Sequence, residues 1–197
     1  STGTINKLSI TVTAVSDSKV YDGLMTSSGL PLLSGATPLA PGDTEPIWSQ
    51  TFANKNVGTG KTINAAGLVT DGNGGNNRAY TFVPNVSGVI TARAITVTAL
   101  TATKIYDGTT ASSVAPNLNP ALVGADMSGF IQTFDTPDAG SNKTLTPSGT
   151  VNDGNSGLNY AITFAAPITT GTINQAIPTL SVTNSPVLYN GSPQSAT

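Results

Sequence analysis

Apolar and polar residues alternate along several short stretches of the chain. The stretch ITVTA occurs at residues 10–14 and again at 95–99. In the first copy, Ile10, Val12 and Ala14 would share one face of an extended strand, and an alternation with a period of two predicts a strand buried on one side. Clusters of glycine, proline and asparagine separate such stretches, so we predict about six to eight short strands in each half of the chain.

The alternating stretches recur in a fixed order. Four pairs of segments match at offsets of 82 to 85 residues: 10–23 with 95–108, 49–62 with 131–144, 69–77 with 151–159, and 87–91 with 170–174. Internal similarity at a constant period is the sequence signature of tandem structural units. We therefore predict two consecutive units, repeat 1 over residues 8–92 and repeat 2 over residues 93–176.

Both ends of the chain look like parts of further units. The letters TGTIN at residues 2–6 are identical to those at 170–174, so residues 1–7 read as the tail of a preceding repeat. Residues 177–197 begin like a third unit, with YNG at the place where the earlier units have YDG. We expect the chain to be a slice of a longer array.

The connection between the two repeats does not have the composition of a flexible linker. Apolar positions are even-numbered at Ile90 and odd-numbered from Ile95 onward, so the strand pattern changes face near Arg93 without any Gly or Pro. Flexible linkers are rich in Gly and Ser. We predict that a strand leaves repeat 1 and enters repeat 2 directly, which makes the pair end-to-end and elongated.

Composition excludes several classes of function. Charged residues make up 9% of the chain, and the eight basic residues are scattered, so there is no Lys/Arg stripe for nucleic acid. No apolar run approaches the ~18 residues of a membrane-spanning helix, so we expect no membrane insertion in this segment. The chain has no His and no Cys, and it therefore lacks the commonest general base and the thiolate nucleophile. The acidic residues form no recognisable glycosidase pair. We expect no enzyme.

One motif, K-x-Y-D-G, occurs once in each repeat. Its residues are Lys19, Tyr21, Asp22 and Gly23 in repeat 1, and Lys104, Tyr106, Asp107 and Gly108 in repeat 2. We predict that both tyrosine rings are buried with their hydroxyls bonded to backbone; a sugar-binding platform is the alternative. The aspartates are expected to cap a turn, in which the glycines supply a positive φ.

Lysines at matched positions raise the alternative of an intramolecular isopeptide bond. That chemistry needs a buried lysine, an asparagine or aspartate side chain, and a nearby acid, because burial lowers the lysine pKa and frees its lone pair. The candidates are Lys19, Lys104, Lys61, Lys143, Asn77 and Asn159. Salt-bridged or solvated lysines are the simpler interpretation.

The DGN loops contain oxygen-bearing residues that calcium could use. Calcium takes six to eight oxygens from Asp, Asn and backbone carbonyls. The candidates are Asp71, Asn73 and Asn77 in repeat 1, and Asp153, Asn155 and Asn159 in repeat 2. One acid per loop is few for this ion, and Asp-Gly is equally an ordinary hairpin signal. Calcium is the only cofactor that the sequence suggests.

The motifs together resemble a known family. The K-x-Y-D-G motif, the F-x-x-x-x-x-G-x-x-K-T stretch, the later D-G-N loop and the closing T-G-T-I are similar to YDG repeats of large bacterial surface adhesins. The trailing LYNGSPQ is similar to the start of an MBG-type module. The two copies differ at Arg78, where repeat 2 has Tyr160, and at Gly75–Asn76, where it has Gly157–Leu158. The two loops therefore need not hold the same ligand.

The resemblance implies an extracellular location on a bacterial cell surface. The strand count fits an immunoglobulin-like sandwich, and the resemblance adds a β-grasp-like arrangement with a short helix within residues 24–46 as the alternative; both are mainly β. The expected function is a stalk that holds a distal binding domain away from the cell. The alternatives are repeats that themselves bind glycan, biofilm polysaccharide or host protein, and an accessory module of a secreted enzyme. We expect a monomer whose partners are the neighbouring repeats.

Overall fold

The computed structural model describes residues 3–35, 39–181 and 191–192. All regular elements in these residues are strands, so the prediction of a mainly β fold with two tandem repeats is confirmed. The helix considered within residues 24–46 does not occur in the described part of that range, and no described helix is long or apolar enough to cross a membrane. Most of the predicted third unit lies outside the described residues.

Repeat 1 is built from two sheets. Its strands are β1 (Leu8–Thr13), β2 (Ser18–Val20), β3 (Leu32–Gly35), β4 (Ser49–Phe52), β5 (Gly58–Ala66), β6 (Arg78–Val83) and β7 (Asn85–Thr91). One sheet has the order β3-β1-β6 and the other β2-β7-β5-β4. Strand β1 runs parallel to β6 and β2 runs parallel to β7, whereas the other pairs are antiparallel.

Repeat 2 reproduces this topology. Its strands are β8 (Arg93–Thr98), β9 (Thr103–Ile105), β10 (Asn117–Asn119), β11 (Met127–Ser128), β12 (Ile131–Phe134), β13 (Gly140–Ser148), β14 (Val151–Asn152), β15 (Tyr160–Phe164) and β16 (Ile168–Asn174). The sheet orders are β10-β8-β15 and β12-β13-β16-β9. The additional short pair β11-β14 stands where repeat 1 has a single bridge between Thr44 and Thr70.

The alternating positions form the buried face, as predicted. All six apolar residues of the two ITVTA stretches are buried: Ile10, Val12, Ala14, Ile95, Val97 and Ala99. Trp48 and its repeat counterpart Phe130 are also buried, and each lies against an aromatic ring of the neighbouring sheet. In each repeat, apolar side chains therefore hold the two sheets together, and most of them occupy equivalent positions in the two repeats.

Each repeat also buries a glutamine that sequence analysis did not single out. In repeat 2, Gln132 Oε1 accepts a hydrogen bond from Leu100 N at 2.8 Å, and its Nε2 donates to Leu100 O at 2.7 Å. In repeat 1, Gln50 makes the same pair of bonds to Val15. The side-chain amide thus takes the place of a neighbouring strand. Val15 and Leu100 lie just beyond the ends of β1 and β8, where no described strand pairs with their backbone.

Replacing Gln132 with alanine should lower the free energy of unfolding by about 1–3 kcal/mol, because the buried amide makes two hydrogen bonds to the N–H and C=O of Leu100 that are lost. Urea unfolding measures this, with Thr146→Ala on the exposed side of β13 as the control, which should change stability by less than about 0.5 kcal/mol. Equal effects of the two substitutions would show that the glutamine is not a structural clamp.

Candidate functional site at the repeat junction

The chain passes from one repeat to the next through a single residue. Strand β7 ends at Thr91 and β8 begins at Arg93. On one side, Tyr21 N donates to Thr91 O at 2.9 Å, and on the other, Arg93 N donates to Asn159 O at 3.0 Å. Backbone bonds therefore hold the chain to its own repeat on both sides of Ala92, which leaves a very short hinge.

Three side chains meet across this junction. Tyr21 of repeat 1 is fully buried, and its hydroxyl donates to Asp126 Oδ2 at 3.0 Å. Tyr160 of repeat 2 donates to the same oxygen at 2.7 Å. The two rings meet edge to face, with centroids 5.5 Å apart, which is a favourable aromatic geometry. The Asp126 side chain is only 4% exposed, so the contact removes a carboxylate from water.

A lysine of repeat 1 supplies the charge that this carboxylate needs. Lys55 Nζ lies 3.8 Å from Asp126 Oδ1 and 5.8 Å from the centre of the Tyr21 ring. The interaction with the Tyr21 side chain raises the pKa of Lys55, so its ammonium group is charged at neutral pH. A buried charge without a partner is costly. The aspartate of repeat 2 is thus neutralised in trans, by the repeat that precedes it.

A second polar contact lies beside the first. Asn159 is fully buried, and its Oδ1 accepts a hydrogen bond from Val57 N at 2.9 Å. Its Nδ2 donates to Asn56 Oδ1 at 3.3 Å. Asn159 was a candidate for calcium and for an isopeptide bond; the structure instead places its side chain against repeat 1, as a contact residue of the junction.

Apolar side chains join the two polar contacts into one interface. A single buried cluster includes Ala14 and Ile90 of repeat 1 together with Ile95 and Phe130 of repeat 2. Val123 of repeat 2 packs against this cluster. The hydrophobic core therefore continues from one repeat into the next.

Burial raises the pKa of Tyr160 to about 12, and the neighbouring Asp126 adds to the rise. Only the neutral phenol donates to the carboxylate. The stabilisation is therefore present below the ordinary tyrosine pKa of about 10 and is lost as pH rises from there through about 12.

We expect the ¹³Cζ resonance of Tyr160 to titrate at about 12 in an alkaline NMR series. Loss of the Tyr160–Asp126 hydrogen bond should accompany that titration, because an ionised phenol is repelled by the carboxylate. A midpoint near the ordinary value of about 10 would contradict a buried Tyr160 hydroxyl.

The K-x-Y-D-G lysines hold the turn that follows them. Lys19 Nζ donates to Asp22 Oδ1 at 2.8 Å and to the carbonyls of Leu24 and Thr26 at 2.8 and 3.0 Å. Lys104 makes the equivalent bonds in repeat 2, to Asp107, Thr109 and Ala111. Gly23 and Gly108 have φ of +79° and +78°, a conformation that glycine adopts without strain. Both aspartates cap the turn by accepting a backbone N–H.

The two motif tyrosines do not share one environment. Tyr21 is buried and bonds a carboxylate instead of backbone, whereas Tyr106 is 45% exposed. The prediction that both rings are buried is therefore wrong for Tyr106. The difference arises because repeat 2 covers Tyr21, and no described residue covers Tyr106 in the same way.

The structure does not bring the isopeptide candidates together. Lys61 contacts Asn54, and Lys143 contacts Thr136, at the same two points of the β4–β5 and β12–β13 hairpins. Asn77 is bonded by Asn73 within its own loop. Lys19 and Lys104 each donate to several oxygens, so the four lysines lie in ordinary polar contacts, and none of these contacts joins a candidate lysine to Asn77 or Asn159.

The DGN loops use their carboxylates for their own folding. Asp153 accepts backbone N–H groups of Asn155, Gly157 and Asn159 at 2.7–2.9 Å. Asp71 does the same in repeat 1, for Asn73, Gly75 and Asn77. Within the described residues, no group of three His, Cys, Asp or Glu side chains is placed to hold a metal. The loops fit a calcium ion poorly, since backbone donors already occupy the carboxylate oxygens.

Comparison with known families and proteins shows which family the chain belongs to. The YDG domain matches over residues 5–87 and again over 91–170. Searches of curated proteins and of solved structures found no match. Since the two matched segments cover most of the chain, this protein belongs to the YDG domain family and contains two copies of the domain in tandem.

Proposed function

We propose that this chain is a stalk segment of a secreted bacterial cell-surface adhesin. In this proposal, YDG units are stacked end to end and hold a distal binding domain away from the cell. The observation that carries it is the buried contact of Tyr21 and Tyr160 with Asp126, across a connection of one residue. In a repeat array each unit contacts mainly its neighbours, so reach grows with the number of units.

The chemistry of the junction supports a stiff connection. Domains within one chain move relative to each other unless their interface is large and apolar. Here bending would open a continuous apolar cluster and separate the Asp126 carboxylate from Tyr21 and Lys55. These losses occur together, because the three contacts lie side by side. The docked arrangement is therefore favoured over a bent one.

The surface suits a spacer. Only 9% of the residues are charged and no cysteine is present, which leaves a weakly charged exterior rich in Thr, Ser and Asn. A third unit that begins at residues 177–197 is proposed to continue the array; the likeness of LYNGSPQ to the start of an MBG-type module is the alternative to a further YDG unit at that place. Extracellular location on the bacterial surface belongs to the same proposal.

A stacked aromatic pair with one exposed member favours the alternative that the units themselves bind glycan. The rings of Tyr80 and Phe82 on β6 stack with centroids 5.9 Å apart, and Phe82 is partly exposed. Sugar rings can pack against such faces. Reproducible binding on a glycan array that is lost with Phe82→Ala would favour this function over an inert stalk.

Pulsed electron–electron resonance tests the stalk. The chain has no cysteine, so spin labels can be placed at Asn64→Cys and Thr146→Cys, two exposed and equivalent positions on β5 and β13. We expect one narrow distance distribution that a calcium chelator leaves unchanged. A broad distribution would mean that the repeats move independently, and the stalk proposal would then fail.

A further inference from the structure

The end of repeat 2 presents the same surface that repeat 1 uses for docking. Tyr106 N donates to Asn174 O at 2.8 Å, just as Tyr21 N donates to Thr91 O at 2.9 Å. The two motif tyrosines are therefore carried in the same way by the last strand of each repeat. Tyr21 is covered by repeat 2, whereas Tyr106 borders an open cavity of about 500 Å³.

This surface, called here the Tyr106 end, is mainly apolar. It is lined by Tyr106 and Ala139, which form the docking surface, and by Gln175, Ala176 and Pro178 of the chain that leaves the last strand. Ala139 is the counterpart of Val57, whose backbone N–H binds Asn159 across the existing junction. The occupied interface within the chain thus identifies the kind of partner that fits here, namely another YDG unit.

The charged residues at the Tyr106 end differ from those around Tyr21, and this difference favours one kind of partner unit. The position of Lys55 is taken by Pro137 in repeat 2, and that of Asn56 by Asp138. Among the described residues, the Tyr106 end therefore lacks a counterpart of Lys55 and carries an additional carboxylate, Asp138. An aspartate like Asp126 would be buried there without the lysine that neutralises it, which is costly.

Repeat 1 shows how a unit can do without that lysine. Asp43 is the counterpart of Asp126, since each donates its backbone N–H to the carbonyl three residues earlier, at 3.0 and 3.2 Å. Arg78 stands in the place of Tyr160 and forms an ion pair with Asp43. Repeat 1 thus neutralises its aspartate in cis. Arg78 Nη1 is buried without a hydrogen-bond partner among the described residues, so the guanidinium retains a donor.

We propose that the Tyr106 end is a docking surface for a further YDG unit, and that it selects a unit of the repeat-1 kind. A unit of that kind is one in which an arginine pairs with the aspartate inside the same unit. The inference rests on the proposed end-to-end stacking. The Tyr106 hydroxyl would donate to an aspartate that is already neutralised, and the arginine would attract Asp138. Two units can then dock when the first has a lysine near its motif tyrosine, or when the second has an arginine beside its aspartate.

The existing junction tests this rule in the chain as it is. Lys55→Ala removes the cation in trans, and we expect the docked-to-undocked ratio to fall roughly fivefold, which broadens the distance distribution between residues 64 and 146. Adding Tyr160→Arg supplies a cation in cis and should restore the narrow distribution. Tyr160→Leu in the same background is the matched control and should not restore it.

Each outcome is decisive. Failure of Tyr160→Arg to improve on Tyr160→Leu would overturn the selection rule while leaving the stalk intact, provided that the unsubstituted chain gives a narrow distribution. A broad distribution in the unsubstituted chain would instead defeat the stalk proposal itself. The two failures are therefore distinguishable.

Joined copies test the Tyr106 end directly. Lys7 and Ala92 occupy equivalent places before β1 and β8. When Asn174 is followed by Lys7 of a second copy, Tyr106 faces Asp43 and Arg78; when it is followed by Ala92, Tyr106 faces Asp126 and Tyr160. We expect a narrow distribution of distances between spin labels on the two sides of the first new junction, and a broad distribution for the second. Pro137→Lys should narrow the broad distribution. Two broad distributions would overturn docking, and two narrow ones would overturn selection.

Discussion

Replacing Tyr21 with alanine should lower the free energy of unfolding by about 3–5 kcal/mol, because the ring is fully buried and leaves a cavity when it is removed. The same substitution at Tyr106 should cost only about 1 kcal/mol, since that side chain is 45% exposed. The two residues occupy the same place in the same motif, so each is the natural control for the other. Urea unfolding of the two variants provides the comparison.

Of the two substitutions, only the one at Tyr21 is also expected to loosen the junction between the repeats. Tyr21 is bonded to Asp126 and packs edge to face on Tyr160, so its removal should broaden the distance distribution between labels at residues 64 and 146. Tyr106→Ala should leave that distribution unchanged. Equal destabilisation by the two substitutions would mean that the motif tyrosine serves its own repeat and not the junction.

The repeated alternation carried most of what could be predicted about the fold. Burial on one face of a strand depends mainly on local periodicity, so Ile10 and Val12 in repeat 1 and their counterparts in repeat 2 were assigned correctly. The change of face near Arg93 indicated a direct connection, and the structure has one residue between β7 and β8. These features depend on neighbours in the sequence, and sequence alone therefore reveals them.

The junction could not be predicted in the same way. Aligning the repeats assigns equal environments to equal positions, yet Asn159 is buried by repeat 1 whereas its counterpart Asn77 is exposed. Burial at these places depends on which repeat lies beyond the end, and no local pattern encodes this. One signal was present in the sequence: Lys55 is replaced by Pro137 and Tyr160 by Arg78. Paired differences between otherwise similar copies point to contacts between copies.

The lysines illustrate a second limit. Their matched positions indicated a shared role but not its chemistry. In a chain with few charges, a lysine such as Lys19 can organise a turn by donating to several carbonyls and one carboxylate. Sequence could not separate this from a reactive lysine, because both require partial burial and a neighbouring acid.

Substitution of the two equivalent aspartates should separate the stability of a repeat from the stiffness of the junction. Asp126→Ala removes the acceptor shared by Tyr21 and Tyr160 and the partner of Lys55. We expect a loss of about 2–4 kcal/mol, from two buried hydroxyls that lose their acceptor, together with a broad distance distribution across the junction.

Asp43→Ala should act inside repeat 1 instead. It leaves the Arg78 guanidinium buried without its counter-charge, which costs about 3–5 kcal/mol, while the distance between labels at residues 64 and 146 should stay narrow under conditions where the variant is folded. Combining Asp43→Ala with Arg78→Met should recover much of the loss, because a buried pair replaced by an apolar residue is often close to neutral. If Asp43→Ala broadened the junction as much as Asp126→Ala does, the two ion pairs would not be independent. The division between neutralisation in cis and in trans would then fail.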